Sequence, residues 1–212
     1  MVRSLLALTL LAGCPAAAVD IPDPGAVVTD PTLQRMIGAL ADEHREGFGP
    51  AIAWLIAHPE LARPALRAEV LARPDHLATS RGLVALARIG ALEDVATMAA
   101  VLHAAQTDSG VWAAAAALGD HPHAEATLLA AAADPSDPIA GAAASVLGEH
   151  HVEAARPVLE ALLTRADAGT RYRAVRAIGA LGVGASRAAL AAARKAERDP
   201  DVLAALGELG IR

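Results

Sequence analysis

Five times along the chain an apolar stretch closes on a small residue, a large aliphatic residue and a glycine. The closures read Ala87-Arg88-Ile89-Gly90, Ala116-Ala117-Leu118-Gly119, Ser145-Val146-Leu147-Gly148, Gly179-Ala180-Leu181-Gly182 and Gly207-Glu208-Leu209-Gly210. Successive glycines stand 29, 29, 34 and 28 residues apart. A period of that length holds two helices and their turns. It predicts units that bury their apolar faces on one another rather than one closed core. Composition fits that picture. Hydrophobic residues make up 54% of the 212 and aromatic residues only 2%. Alanine and leucine let helices stack closely without large rings.

The glycines serve as a ruler for the rest of each repeat. Ten residues before them stand Ser80, Ser109, Pro138, Tyr172 and Pro200, near the expected helix starts. Asp108, Asp137 and Asp199 lie at or beside N-caps, where a carboxylate accepts from otherwise unpaired N–H groups. Gly179 and Gly207 fall inside helices, where glycine costs about 1 kcal/mol relative to alanine. That cost predicts a neighbouring helix packed closely against both. Trp112 stands seven before Gly119, where Leu83, Val175 and Leu203 stand in other repeats, and is expected in the core. Second helices are expected over 94–105, 123–133, 152–166 and 185–198, buried through Leu102, Leu128, Leu159, Leu162 and Leu190.

Upstream, Asp30-Pro31 reads as an N-cap followed by a proline at the first helical position. Leu33, Met36, Ile37 and Leu40 give one buried stripe in a helix over 32–46, which Gly47 and Gly49 are expected to break. A short helix over 50–57 and another from His58-Pro59 to Arg73-Pro74 follow. Residues 60–66 (Glu-Leu-Ala-Arg-Pro-Ala-Leu) align with 153–159 (Glu-Ala-Ala-Arg-Pro-Val-Leu), so the early pair is a divergent repeat.

The predicted fold is all-α: a right-handed α-solenoid of about five antiparallel helix pairs over 31–212. Its repeats run roughly 49–75, 78–106, 107–135, 136–167 and 168–198, with a half repeat at 199–212. That last helix either caps the stack or docks on a partner, and capping is the favoured reading. Paired helices closed by Asp-rich turns resemble HEAT repeats. The alanine-rich form with Ala-Leu-Gly resembles the HEAT-like repeats of phycobilisome (PBS) lyases. The resemblance covers 78–212, and 49–75 more weakly. It implies a solenoid, but the family spans scaffolds, adaptors, transport receptors and a few enzymes, so it implies no single activity.

The first thirty residues have a different character. Met1-Val2-Arg3 is a positive start, and Ser4 to Leu11 is an apolar run too short to span a bilayer. The run ends in Leu11-Ala12-Gly13-Cys14, which resembles the bacterial lipobox. The resemblance implies lipidation of Cys14, cleavage just before it, and a signal peptide over 1–13. Cleavage after Ala16-Ala17-Ala18, which would discard Cys14, is the alternative. Spacing, the short apolar run, the sole cysteine and the linker that follows favour the lipobox. Residues 14–30, with Pro22, Pro24 and Gly25, read as an extended tether.

Charge bounds the partners. A net charge of −6 argues against nucleic acid, which needs a basic footprint. Between Ala91 and Glu160 stand ten acids and one base, Arg156; between Arg165 and Arg198 stand eight bases and two acids. Arg171, Arg173, Arg176, Arg187 and Arg194 are therefore a candidate interaction surface, set against the plainer reading of a solvated exterior. His121, His123, His150 and His151 occupy the same turn of consecutive repeats. They are candidate metal ligands if their imidazoles converge, which the spacing does not enforce. The chain has no G-x-S-x-G elbow, Walker loop or H-E-x-x-H. The leading functional expectation is a non-enzymatic lipoprotein of the bacterial cell envelope that needs no cofactor. It would be membrane-anchored through Cys14 and present its repeats to a protein partner. A metal-binding or enzymatic accessory protein using the histidine turns is the alternative.

Overall fold

Asp30 opens the helical body. Its carboxylate accepts the N–H groups of Thr32 at 2.7 Å and Leu33 at 3.1 Å, and Pro31 takes the first helical position, where no donor is needed. The computed structural model describes residues 30–212, and these form an all-α solenoid. The helices are α1 (Pro31–Ala39), α2 (Arg45–Ala57), α3 (Pro59–Ala72), α4 (Leu77–Ile89), α5 (Asp94–Ala104) and α6 (Asp108–Asp120). After them come α7 (Glu125–Ala132), α8 (Asp137–Glu149), α9 (Arg156–Leu162), α10 (Ala168–Leu181), α11 (Arg187–Ala196) and α12 (Pro200–Glu208). A 3₁₀ turn at Glu153–Ala155 leads into α9.

The start of the body differs from the sequence expectation. The first helix stops at Ala39 rather than running to residue 46, and α2 runs straight through Gly47 and Gly49. The chain turns at 40–44, where the Asp42 carboxylate accepts the His44 N–H at 2.8 Å. Gly47 accommodates that turn, because a Cβ there would collide with the Asp42 carboxylate. Arg81 of α4 then fixes the turn. Its guanidinium donates to the Leu40 carbonyl at 2.6 Å, also bonds the Asp42 carbonyl, and lies 3.7 Å over the Phe48 ring.

Two layers follow from the alternation of helices. In one, α2, α4, α6, α8, α10 and α12 each pack on the next. In the other, α3 packs on α5 and α7 on α9, with slighter contact. The first layer is close because the closing glycines do two different jobs. Gly90, Gly182 and Gly210 have φ of 72°, 87° and 69°, conformations that end a helix and suit glycine. Gly119 and Gly148 instead stay inside their helices, where the next helix presses in. A Cβ on Gly148 would lie 2.6 Å from the Ala177 Cα, and one on Gly119 would strike Val146. α8 is consequently the innermost helix: between Ile139 and Gly148 only Ser145 is not fully buried.

Of the two glycines expected to meet a neighbour, Gly179 does and Gly207 does not. A Cβ on Gly179 would stand 2.8 Å from Leu209 Cδ2, whereas nothing lies within 4 Å of one on Gly207. α12 is the last helix of the described residues, and Asp201, Ala204 and Glu208 on it are exposed. The chain then folds back on itself. Gly210 N–H bonds the Gly207 carbonyl at 2.9 Å and Ile211 N–H bonds the Leu206 carbonyl at 3.0 Å, a Schellman motif that buries Ile211.

Buried charge ties neighbouring repeats together. Asp94, fully buried, accepts from Arg63 Nε at 3.0 Å and Arg67 Nε at 2.5 Å, joining α3 to α5. Arg156, aligned with Arg63 in sequence, also reaches into the following repeat. It bonds the Leu181 carbonyl and, at 2.8 Å, the Gly182 carbonyl. Among the described residues no helix is long and apolar enough to cross a membrane.

Candidate interaction groove

The first layer carries a groove of about 670 Å³ that crosses α6, α8, α10 and α12. Its shape follows from residue size. α8 contributes Ser145 and presents Gly141, whose missing side chain leaves room for its neighbour: a Cβ there would lie 2.8 Å from Arg173 Nη1. Arg173 of α10 therefore lies across α8 and brings its guanidinium to 5.5 Å from the Trp112 ring of α6. Tyr172 stands beside it, 39% exposed, and Asp199, Asp201 and Glu208 form the α12 wall.

Trp112 packs against the core, as its alignment suggested, and also lines the groove. It is half-buried, while Leu83 and Val175 at the matching positions are fully buried. The position seven before the closing glycine lies at the edge of the buried stripe, so its cover depends on the next helix. Gly141 and Arg173 give Trp112 a polar, open cover.

The five arginines of the basic repeat do not form one surface. Arg171 points into the fold and makes a forked pair with Glu197, Nε to Oε2 and Nη2 to Oε1 both at 2.8 Å. It also donates to the Arg165 and Ala166 carbonyls, at 2.8 and 2.7 Å. Glu197 further accepts the N–H groups of Arg198 and Asp199, at 2.8 and 2.9 Å. The Arg171 pair, with those N–H donors, overrides the effect of burial and holds the Glu197 carboxyl down at about 2. Asp199 in turn caps α12. Arg176 reaches Glu208 at 2.6 Å on the groove side. Arg187 and Arg194 belong to the other layer on α11, where Arg187 is exposed and Arg194 donates to the Leu203 carbonyl at 3.2 Å.

The four histidines do not all converge: His121 and His123 meet edge to face with ring centroids 5.9 Å apart, while His121, His150 and His151 are each engaged by a neighbouring repeat. His121 is buried; its Nε2 donates to the Ala91 carbonyl at 3.1 Å and its Nδ1 accepts the His123 N–H at 3.2 Å. Both ring nitrogens are occupied, and burial pushes its pKa down. His150 faces Asp120 with 3.6 Å between Nε2 and Oδ1. His151, at φ 52°, accompanies the Ala180 carbonyl at 3.2 Å in the following repeat. Among the described residues no group of three or more His, Cys, Asp or Glu side chains is placed to hold a metal ion. Cys14 and the lipobox lie outside the described residues.

A second cleft, about 590 Å³, opens in the other layer between α9 and α11. Leu163, Ala189, Ala192 and Ala193 line it, and the Arg171–Glu197 pair closes one end. It has no ring and no unpaired buried charge to orient a ligand.

Compared with known families, residues 125–209 match the family model for HEAT repeats. The match takes in α7 to α12, and the same stacking of alternate helices extends back through α2 and α4. No curated protein matches the chain. HEAT repeats commonly mediate protein–protein interaction, so the repeats point to a protein partner.

Proposed function

We propose that this chain is a non-enzymatic interaction scaffold of the bacterial cell envelope, tethered through a lipid on Cys14, that offers its first-layer face to a protein partner. The observation that carries the reading is the groove. Two of the chain's few aromatic residues, Trp112 and Tyr172, share one concavity with Arg173. Aromatic and arginine side chains in a partly desolvated setting are the usual anchors of protein interfaces. A stack whose units pack on glycine and alanine holds those anchors on rigid helices, so partner binding loses little ordering entropy. Leu11-Ala12-Gly13-Cys14 supports the address. Each acyl CH₂ buried in a bilayer contributes about 0.8 kcal/mol, so two or three chains anchor a protein firmly.

The address and the scaffold role are tested separately. Replacing Cys14 with Ser is expected to abolish labelling by a fatty-acid probe and to release the protein from the membrane fraction. Unchanged labelling and retention would exclude Cys14 as the anchor. For the scaffold, immobilised full-length protein is expected to retain a discrete set of envelope proteins. Tyr172→Ala with Arg176→Glu should remove them, and Arg187→Glu with Lys195→Glu on the opposite layer should not. The reverse pattern would place the binding face on α11.

A further inference from the structure

Arg173 on α10 is half-buried, and among the described residues it makes no hydrogen bond or ion pair. Its neighbours explain why none of them serves. Asp167 feels its charge, but the Asp167 carboxylate is already engaged by the Thr170 N–H at 2.6 Å. Glu208 is taken by Arg176, and Asp199 caps α12 through the N–H groups of Asp201 and Val202. What remains is a guanidinium over the Trp112 ring, its Cζ 5.5 Å from the ring centre, beside Gly141 and Ser145, with Tyr172 alongside. A guanidinium presents a planar fork of N–H donors that fits a carboxylate in two parallel hydrogen bonds. The ring surfaces beside it suit an apolar group.

We propose that the groove binds a partner segment in which an acidic side chain stands next to an apolar one. The carboxylate seats on Arg173, and the apolar side chain packs on Trp112 and Tyr172. Asp199, Asp201 and Glu208 on the α12 wall set the charge selectivity. A continuous anion such as a nucleic acid meets these acids in the same groove and is repelled. A segment with a single carboxylate is not. The assignment rests on the scaffold reading and makes it specific.

The test uses two pools of synthetic twelve-residue peptides passed over immobilised full-length protein. In one, every peptide carries one Glu or Asp flanked by Leu, Phe or Tyr; in the other, the acids are replaced by Gln or Asn. Selective retention of the acidic pool is expected. Arg173→Gln and Trp112→Leu should each lower that retention about tenfold. Arg173 bonds nothing in the fold, so Arg173→Gln is expected to unfold at the parent's temperature, which separates lost binding from lost structure. Equal retention of both pools, retention unaffected by Arg173→Gln, or no retention of either pool would overturn the assignment. So would a self-associated parent, seen by sedimentation, that Arg173→Gln turns into a monomer; the occupant would then be a second copy of the chain. If envelope proteins remain bound while the acidic pool does not, the scaffold reading survives and only the acidic-segment assignment falls.

Discussion

Gly148 and Gly207 both lie inside helices and should respond oppositely to the same change. At Gly148 an added methyl group meets the backbone of Ala177 at 2.6 Å, and backbone cannot swing aside. Gly148→Ala is expected to destabilise the chain by about 1–3 kcal/mol through overpacking. Gly207 has open space around it, so Gly207→Ala should stabilise by about 0.4–1 kcal/mol by restricting the unfolded chain. Urea denaturation of the two variants measures both signs. Glu197 adds a pH dependence at the same scale. Its carboxyl sits at about 2 in the fold against an ordinary value of 4.5, so its stabilisation is fully present above pH 4.5 and disappears as pH falls from 4.5 towards 2. A shift of that size corresponds to about 3 kcal/mol. Glu197→Gln is therefore expected to cost about that much at pH 7 and almost nothing at pH 2, read from denaturation midpoints across the range.

Elements were legible in the sequence where their signals are local. Asp30 and Asp199 cap helices with carboxylates that act within three residues, and a proline follows each, so those helix starts could be placed. Asp108 and Asp137 instead stand just inside their helices, after Thr107 and Ser136. Contacts made one repeat away could not be placed. That Trp112 would also line a groove was not legible, because Gly141 and Arg173 come from later helices. The histidine turns looked equivalent, but His121, His150 and His151 are engaged by neighbouring repeats, and only His121 and His123 meet. The early break at Ala39 was hidden because Gly47 serves the Asp42 side chain rather than ending a helix. The groove left one mark in the sequence, a tryptophan and a tyrosine in a chain with 2% aromatics, and their sharing of a face was not readable. α12 depends on the fold-back that follows it. Ile211→Ser removes the buried side chain that closes the Schellman motif. It is expected to speed hydrogen exchange of the 202–206 amides about tenfold or more and to leave those of α8 unchanged. Faster exchange throughout would mean that α12 is not a separable unit.

At the scale of the whole molecule, each repeat touches mainly its neighbours, so rigidity comes from pairwise packing rather than from one central core. Such a stack presents two long faces. The close-packed layer bears the aromatic groove with its unpaired guanidinium, and the opposite layer bears an alanine-lined cleft. The first of these faces is the one proposed to meet the partner. Site-specific photo-crosslinking in the native envelope distinguishes the two, with a photoreactive residue placed at Tyr172 or Ala116 on one layer and at Ala188 or Ala192 on the other. Discrete crosslinked protein products are expected from Tyr172 and Ala116, lost with Arg173→Gln, and none from Ala188 or Ala192. Products from the α11 positions alone would contradict that proposal.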